Sequence, residues 1–176
     1  IYLTNIVFEE SVVKQKLDSI SFRGPDYTGI EKVNNLTFGH LRLSILDLDP
    51  RSNQPMQDEN LTIVFNGEIY NYKTIKKELL DLDHNFKTES DTEVLLLGYK
   101  QWGRSILDKI NGMFAFSIYN AKTNTLFSAR DRLGVKPFYY YWNDNELEIC
   151  SQIRPLLKNK RINEEAISMF LDCMFI

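Results

Sequence analysis

A chain of 176 residues with 43% hydrophobic residues, including 11 Phe, 9 Tyr and 2 Trp, is long and apolar enough to fold around its own core. Its net charge of −3, without a basic stripe, predicts no nucleic-acid partner, and no apolar run reaches the roughly 20 residues of a membrane span. Only two cysteines, Cys150 and Cys173, indicate a reducing, cytoplasmic setting rather than a disulfide scaffold.

The hydrophobic pattern predicts strands and helices along the whole chain. In chain order these are a strand (1–8), a helix (12–20), strands (36–45 and 61–65), helices (71–82, 90–102 and 105–109), strands (114–119, 125–129, 138–142 and 147–151) and a helix (164–175). Ser11, Ser90 and Asn163 are predicted N-caps, and residues 47–60 are predicted to form a polar loop. Because the strands come in hairpin groups with helices clustered between them, the sequence favours a layered α+β fold.

The segment after the strand at 61–65 has two interpretations. Asn66-Gly67 is a strong signal for a hairpin turn, and the segment alone favours that turn. Alternatively, the strand ends at Phe65 and presents the Asn66 amide and a free main-chain N–H at a sheet edge. Gly67 would then let a polar ligand approach the main chain closely.

Two charged residues, Arg42 and Asp91, lie next to apolar segments that are predicted to be buried, so each needs a partner. Arg42 is flanked by apolar residues on a predicted strand, so it either forms an internal salt bridge or clamps a ligand carboxylate. Asp91 is either a helix-start acid favoured by the helix dipole or a counter-charge for a ligand ammonium. Together the two charges would suit the two ends of an amino acid.

Other polar residues favour structural roles. The run Arg130-Asp131-Arg132 is predicted to be a salt-bridge corner. His40 and His84 are far apart in the sequence, which argues against a metal site and for ordinary hydrogen-bonded histidines. The sequence has no glycine-rich phosphate loop, so no ATP site is expected within this chain.

Six motifs then occur in one order: Phe-Arg-Gly-Pro-Asp (22–26), Gly-His-Leu-Arg-Leu-Ser-Ile (39–45), Phe-Asn-Gly-Glu-Ile-Tyr-Asn (65–71), Ser-Asp-Thr-Glu (90–93), Gly-Met-Phe-Ala-Phe (112–116) and Ala-Arg-Asp-Arg-Leu-Gly-Val-Lys-Pro (129–137). Together they resemble the N-terminal glutaminase domain of glutamine-hydrolysing asparagine synthetases. These domains are class II glutamine amidotransferases of the N-terminal-nucleophile hydrolase type. The resemblance covers essentially the whole chain.

The resemblance implies a four-layer α/β/β/α sandwich and a single type-2 amidotransferase domain over 1–176. Residues 160–176 would lead towards a C-terminal synthetase domain that this chain does not contain. It also implies hydrolysis of glutamine to glutamate and ammonia through a cysteinyl thioester. The ammonia would serve ATP-dependent amidation of aspartate in the synthetase domain. ATP and Mg would belong to that domain, no cofactor or metal is expected in this one, and a homodimer is a further expectation.

Carried onto this chain, the resemblance implies a glutamine site. Arg42 would hold the α-carboxylate, while Asp91 and Glu68 would hold the α-ammonium end. The Asn66 side chain and the Gly67 N–H would form an oxyanion hole. Backbone groups of the four residues after Arg42 would line the site: Leu43, Ser44, Ile45 and Leu46.

The nucleophilic cysteine of the resembled family is expected two or three residues upstream of Ile1. Cys150 and Cys173 cannot replace it, because neither has a free α-amino group, and both are predicted to be buried small hydrophobes. Phe22 also departs from the family, which usually has His before Arg-Gly-Pro-Asp, and Leu41 stands where a polar residue is frequent.

Three alternatives remain at this stage. The first is a non-hydrolytic docking module of the same fold. The second is another N-terminal-nucleophile hydrolase, such as a self-processing amidase. The third is an amidotransferase whose acceptor is a sugar or a natural-product precursor.

Overall fold

The computed structural model describes residues 1–44, 47–157 and 163–173. Within them the helices are α1 (Glu10–Asp18), α2 (Tyr72–Asp81), α3 (Asp91–Trp102), α4 (Ile106–Lys109) and α5 (Glu164–Cys173). The strands are β1 (Tyr2–Thr4), β2 (Tyr27–Val33), β3 (Leu36–Arg42), β4 (Met56–Asp58), β5 (Leu61–Ile69), β6 (Gly112–Asn120), β7 (Thr125–Arg130), β8 (Tyr139–Asn143) and β9 (Glu146–Cys150).

The strands form two antiparallel sheets. One sheet has five strands in the order β2-β3-β1-β9-β8, and the other has four in the order β4-β5-β6-β7. Neighbouring strands of the second sheet are also neighbours in sequence, whereas β1 lies between β3 and β9, which are far apart in sequence. The first and the last strand of the described residues are therefore neighbours in one sheet.

Three hydrophobic clusters define the layers. Leu3 and Val64 belong to the cluster between the two sheets. Tyr2 and Leu17 belong to the cluster between the five-stranded sheet and α1. Leu95 belongs to the cluster that packs α2 and α3 on the outer face of the four-stranded sheet. The order is helix, sheet, sheet, helices, which confirms the predicted α/β/β/α sandwich of the α+β class.

Strand β5 is longer than the sequence pattern indicated. It runs without interruption from Leu61 to Ile69, and Gly67 lies opposite Phe114 of β6. The turn at Asn66-Gly67 and the strand end at Phe65 were therefore both wrong. A Cβ atom on residue 67 would lie 2.3 Å from the Met113 carbonyl oxygen, so the glycine serves close strand packing rather than a turn.

Several boundaries also differ. The N-cap predicted at Ser11 is wrong, since α1 starts at Glu10 and its cap residue, Glu9, makes no side-chain cap hydrogen bond. The caps at Ser90 and Asn163 are confirmed, because each side chain accepts a main-chain N–H from three residues later.

The predicted loop at 47–60 contains a short 3-10 turn (Pro50–Ser52) and β4. Strand β2 was not predicted. It is an edge strand in which only Gly29 is buried, and its sequence lacks the apolar alternation that marks a half-buried strand.

The corner at Arg130-Asp131-Arg132 is structural, but the predicted salt bridges are wrong, since none of the three residues forms one within the described part of the chain. The Asp131 carboxylate accepts main-chain N–H groups from a strand and from the following loop: Phe114, Val135 and Lys136. The Arg130 and Arg132 guanidinium groups donate to main-chain carbonyls instead. These bonds replace the backbone partners that the turning chain loses.

Two smaller predictions concern cysteine and membranes. Cys150 is fully buried, as predicted, and the side chain of Cys173 lies outside the described residues. No helix in the described ranges is long and apolar enough to cross a lipid bilayer.

Candidate active site

A cavity of about 220 Å³ opens at one end of the layer between the two sheets. Its walls come from β3, β5, the start of α3 and the loops before β2, between β3 and β4 and after β7. They carry the charged groups Arg23, Arg42, Glu68, Asp91 and Lys136. The cavity therefore presents both signs of charge to a small ligand.

The alternation of two strands explains why polar groups meet here. On β3, Phe38 lies in the core between the sheets, and His40 and Arg42 follow it on the same face. On β5, Val64 lies in that same core, and Asn66 and Glu68 follow it. On each strand, the face directed between the sheets thus changes from apolar to polar side chains at the same end of the sandwich. The pocket therefore lies at the end of the apolar core between the sheets.

Arg42, the last residue of β3, is 7% exposed. Its guanidinium donates to the Asn53 side-chain oxygen (2.6 Å) and to the main-chain carbonyls of Asp49 (3.2 Å) and Asp47. The buried cation is therefore oriented by the loop after β3 while it lines the pocket. These partners are carbonyl and amide oxygens, whereas the internal salt bridge considered from the sequence would use a carboxylate.

Asp91 lies in the first turn of α3 and is 5% exposed. Its carboxylate accepts the main-chain N–H of Ile69 at 3.0 Å. Burial raises the pKa of the Asp91 carboxyl to about 6, and the nearby carboxylate of Glu68 adds to that rise. A buried carboxylate held in this way would be stabilised by a ligand cation.

Asn66 and Gly67 bring two hydrogen-bond donors to the pocket. Within the described residues the buried Nδ2 of Asn66 has no hydrogen-bond partner, although buried amides are almost always paired. Phe114, opposite Gly67, exchanges both of its main-chain hydrogen bonds with Asp131 on the far side of β6. The N–H of Gly67 therefore points away from β6, towards the pocket.

His40 lines the same pocket and is 6% exposed. Its Nε2 lies 3.2 Å from the carbonyl oxygen of Phe65. Burial lowers the pKa of the imidazole to about 3, so the ring is neutral at physiological pH. The prediction of ordinary hydrogen-bonded histidines holds for the partly buried His84, which contacts Gln101, and for His40. His40 in addition lines the pocket.

The structure brings together five predicted site residues, and Leu43 also lines the pocket with them. The main-chain N–H of Ser44 is bonded to the Asp26 carboxylate at 2.7 Å, and Ile45 and Leu46 lie outside the described residues. The five that meet are Arg42, Asn66, Gly67, Glu68 and Asp91.

Sequence reasoning assigned no role to several other lining residues. Arg23 and Lys136 lie inside two of the six motifs, and that placement was the only available signal for them. Thr92 likewise lies inside a motif, Ser-Asp-Thr-Glu (90–93), whereas Gln54 carries no comparable signal, because it comes from a predicted loop. Across the described ranges no group of three or more His, Cys, Asp or Glu residues is placed to hold a metal ion.

Comparison with known proteins fits this geometry. Residues 2–176 match the glutamine amidotransferase domain family. The chain is 39% identical to the glutamine-hydrolyzing asparagine synthetase 3 of Bacillus subtilis, over 89% of this chain and 26% of that protein. It is 37% identical to the putative glutamine-hydrolyzing asparagine synthetase 2 of Methanocaldococcus jannaschii, over 97% of this chain and 38% of that protein.

A solved structure, the glutamine phosphoribosylpyrophosphate amidotransferase of B. subtilis complexed with ADP and GMP, superposes with a TM-score of 0.74. The match covers 88% of this chain and 42% of that one, at 21% identity, and so concerns the fold alone. The chain spans about a quarter to two fifths of the length of the two curated relatives described above.

Proposed function

The chain belongs to the glutamine amidotransferase domain family, and on that premise we propose that its pocket binds glutamine and hydrolyses the side-chain amide to glutamate and ammonia. The observation that carries the proposal is the buried Nδ2 of Asn66, which has no hydrogen-bond partner among the described residues and shares one pocket with Arg42 and Asp91. A buried donor without an acceptor is costly unless a ligand supplies one.

The charged residues of the pocket determine the proposed orientation of glutamine. Arg42 would bind the α-carboxylate of glutamine, and Asp91 would bind the α-ammonium with Glu68 at the same end. The side-chain carbonyl would then face the Asn66 amide and the Gly67 N–H, which are placed to stabilise a tetrahedral oxyanion. Backbone groups of residues 43–46 complete the proposed binding site.

The proposed nucleophile is a cysteine upstream of Ile1 in the complete protein. Tyr2 of β1 pairs with Gly39 of β3, so extending β1 beyond Ile1 leads past Leu41 and Arg42, towards the pocket. The thiolate would attack the carboxamide carbon of glutamine, with the α-amino group of the cysteine as general base. The C–N bond breaks as the nitrogen takes up a proton and leaves as ammonia. Water then hydrolyses the thioester and returns the thiol.

The whole protein's activity is a wider proposal. We propose that the ammonia is delivered to an ATP-dependent synthetase domain that amidates aspartate. The relatives' names, glutamine-hydrolyzing asparagine synthetases, support asparagine as the product. ATP and Mg would bind in that domain, and this one would need no cofactor. An acceptor other than aspartate, such as a sugar or a natural-product precursor, is the alternative. The homodimer, the cytoplasmic location and the domain boundary near 160 stay predictions.

A docking module without hydrolysis is less well supported. Such a module has no use for the buried Asn66 amide, which has no partner among the described residues and lowers stability unless a ligand supplies an acceptor. The same holds for the buried Asp91 carboxyl, whose pKa is raised by burial and which a ligand cation would stabilise. The two proposals differ in what the complete protein does with glutamine.

The test is glutamine turnover by the complete protein, with glutamate and ammonia measured separately. We expect the two products in equal amounts, and we expect replacement of the upstream cysteine by alanine to abolish both. Turnover that survives this replacement, or no turnover by the wild type, would contradict the proposal.

A further inference from the structure

Two side chains, rather than a neighbouring strand, hold the main chain of Phe65. Gln54 Oε1 accepts the Phe65 N–H at 2.6 Å, and His40 Nε2 lies 3.2 Å from the Phe65 carbonyl oxygen. Gln54, His40 and Phe65 are all buried, at 7%, 6% and 3% exposure. The residue directly before Asn66 is therefore fixed at both of its main-chain polar groups.

The sheet register explains why side chains are needed. Strand β4 pairs with β5 only as far as Met56 opposite Ile63. Continuing that register would place Gln54 opposite Phe65, but there the Gln54 side chain takes the place of a main-chain partner. The Gln54 carbonyl is itself packed on the other sheet, because a Cβ at Gly29 would lie 2.0 Å from its oxygen. Gln54 thus links the two sheets beside the pocket.

Gln54 also reaches the helix that carries Asp91. Its Nε2 donates to Thr92 Oγ1 at 3.2 Å, and Thr92 follows Asp91 in the first turn of α3. A second connection joins the same two elements further along, where Ile69 donates its N–H to Asp91. The segment of β5 between these two connections is 66–68, which carries the proposed oxyanion donors.

The direction of the His40 bond follows from its chemistry. A carbonyl oxygen only accepts, so the proton must be on Nε2. Burial lowers the pKa of the ring, which is therefore a neutral donor at Nε2 over the physiological range. The charged groups that share the pocket with His40 are Arg23, Arg42, Glu68, Asp91 and Lys136.

We propose that Gln54 and His40 are positioning residues, which clamp the Phe65 main chain and so aim the Asn66 amide at the oxyanion. This assignment rests on the proposed glutaminase function. Neither residue is required to contact glutamine. A donor that is already aligned contributes more to the transition state than to substrate binding, so loss of the clamp should lower kcat more than it raises KM.

The first experiment measures glutamine turnover by the complete protein with Gln54→Met, which keeps the length of the side chain and removes both hydrogen bonds. We expect kcat to fall by about 10- to 100-fold while KM changes by less than about threefold. An unchanged kcat would overturn the proposal. So would a raised KM at constant kcat, because that result would place Gln54 on the substrate.

The second experiment combines Gln54→Met with Asn66→Ala. If Gln54 acts through Asn66, the double variant will be no slower than Asn66→Ala alone, which should itself lose about 100-fold or more. Multiplied losses would mean that Gln54 acts elsewhere, and they would overturn the assignment.

Matched variants separate alignment from general loss of stability. Ser117→Ala removes a buried side-chain hydrogen bond to Ser128 (2.8 Å) in the same sheet, away from the pocket, and should leave kcat unchanged. His40→Gln can keep a donor at the ε position and should stay within about threefold of wild type, whereas His40→Leu should lose about tenfold or more. Equal rates for the two His40 variants would contradict the clamp.

Failure of the clamp and failure of the function give different results. If the wild type hydrolyses glutamine and Gln54→Met is equally fast, the clamp is rejected and the proposed function stands. A wild-type protein that contains its upstream cysteine and does not hydrolyse glutamine rejects the proposed function, and this assignment with it.

Discussion

Ile69 donates its main-chain N–H to the Asp91 carboxylate across 3.0 Å, so the strand that carries the proposed oxyanion donors is bonded to the proposed ammonium site. The contact lies two residues from Gly67 and at the start of α3. Substrate recognition and catalysis are therefore expected to share one rigid unit, in which a change at either end alters the other.

Asp91→Asn is expected to stabilise the protein above pH 6. The folded-state pKa is about 6 against an ordinary value of 3.8. The protonated Asp91 is tolerated in the folded state, so its full contribution to stability is present below about pH 4. That contribution is lost as the pH rises through 6, because the carboxyl then ionises while it is buried. Asparagine does not titrate, so the variant should gain up to about 3 kcal/mol relative to wild type at pH 7.5. Chemical denaturation at pH 4 and 7.5 measures this.

Asp131→Asn is the matched control for that experiment. Asp131 accepts three main-chain N–H groups and its pKa is lowered, so its contribution to stability has the opposite pH dependence. Its replacement should destabilise the protein at pH 7.5. Two variants that shift stability in the same direction at that pH would contradict the account of Asp91.

Glutamine affinity is expected to fall as the pH drops below about 6. The ligand ammonium requires an ionised Asp91, and that carboxylate becomes protonated in the free protein around this pH. His40 does not contribute, since its pKa of about 3 keeps it neutral throughout. Calorimetric titration between pH 5 and 8 tests this, and in Asp91→Asn the affinity should be weak and independent of pH. A wild-type affinity that is level down to pH 5 would remove Asp91 from the ammonium site.

Arg42→Ala is expected to weaken glutamine binding by about 100-fold or more, because the ligand carboxylate would lose its charged donor in a buried site. Calorimetry on the complete protein measures the affinity. Arg51→Ala is the control, since that arginine is largely exposed, is paired with Asp49 and does not line the pocket. If both variants bind glutamine like wild type, Arg42 has no role in binding.

Asn66→Ala is expected to slow hydrolysis by about 100-fold or more while weakening glutamine binding only slightly. The amide is a donor that the transition state uses more than the ground state does. Steady-state kinetics of the complete protein separate kcat from KM. Losses of similar size in binding and in kcat would identify Asn66 as a binding residue.

Much of the site could be predicted from the sequence because its residues break an apolar pattern. Arg42 interrupts a strand and Asp91 opens a helix, and both features are local. The six ordered motifs supplied the roles that local features left open. The hairpin groups favoured a layered α+β fold, and the family resemblance implied the order of its four layers.

The remaining features depend on contacts that no local pattern records. The length of β5 is set by its nine-residue pairing with β6, so the turn signal at Asn66-Gly67 was overridden by a distant strand. Gln54 lies in a segment that reads as a polar loop, and its role arises from bonds to Phe65 and Thr92, 11 and 38 residues away.

The most direct test of the central claim is a crystal structure of the complete protein, with its upstream cysteine replaced by alanine, in complex with glutamine. We predict the α-carboxylate on Arg42, the α-ammonium on Asp91, and the side-chain carbonyl oxygen within about 3 Å of Asn66 Nδ2 and of the Gly67 nitrogen. A pocket that stays empty at saturating glutamine, or a ligand whose amide faces away from Asn66, would contradict the account.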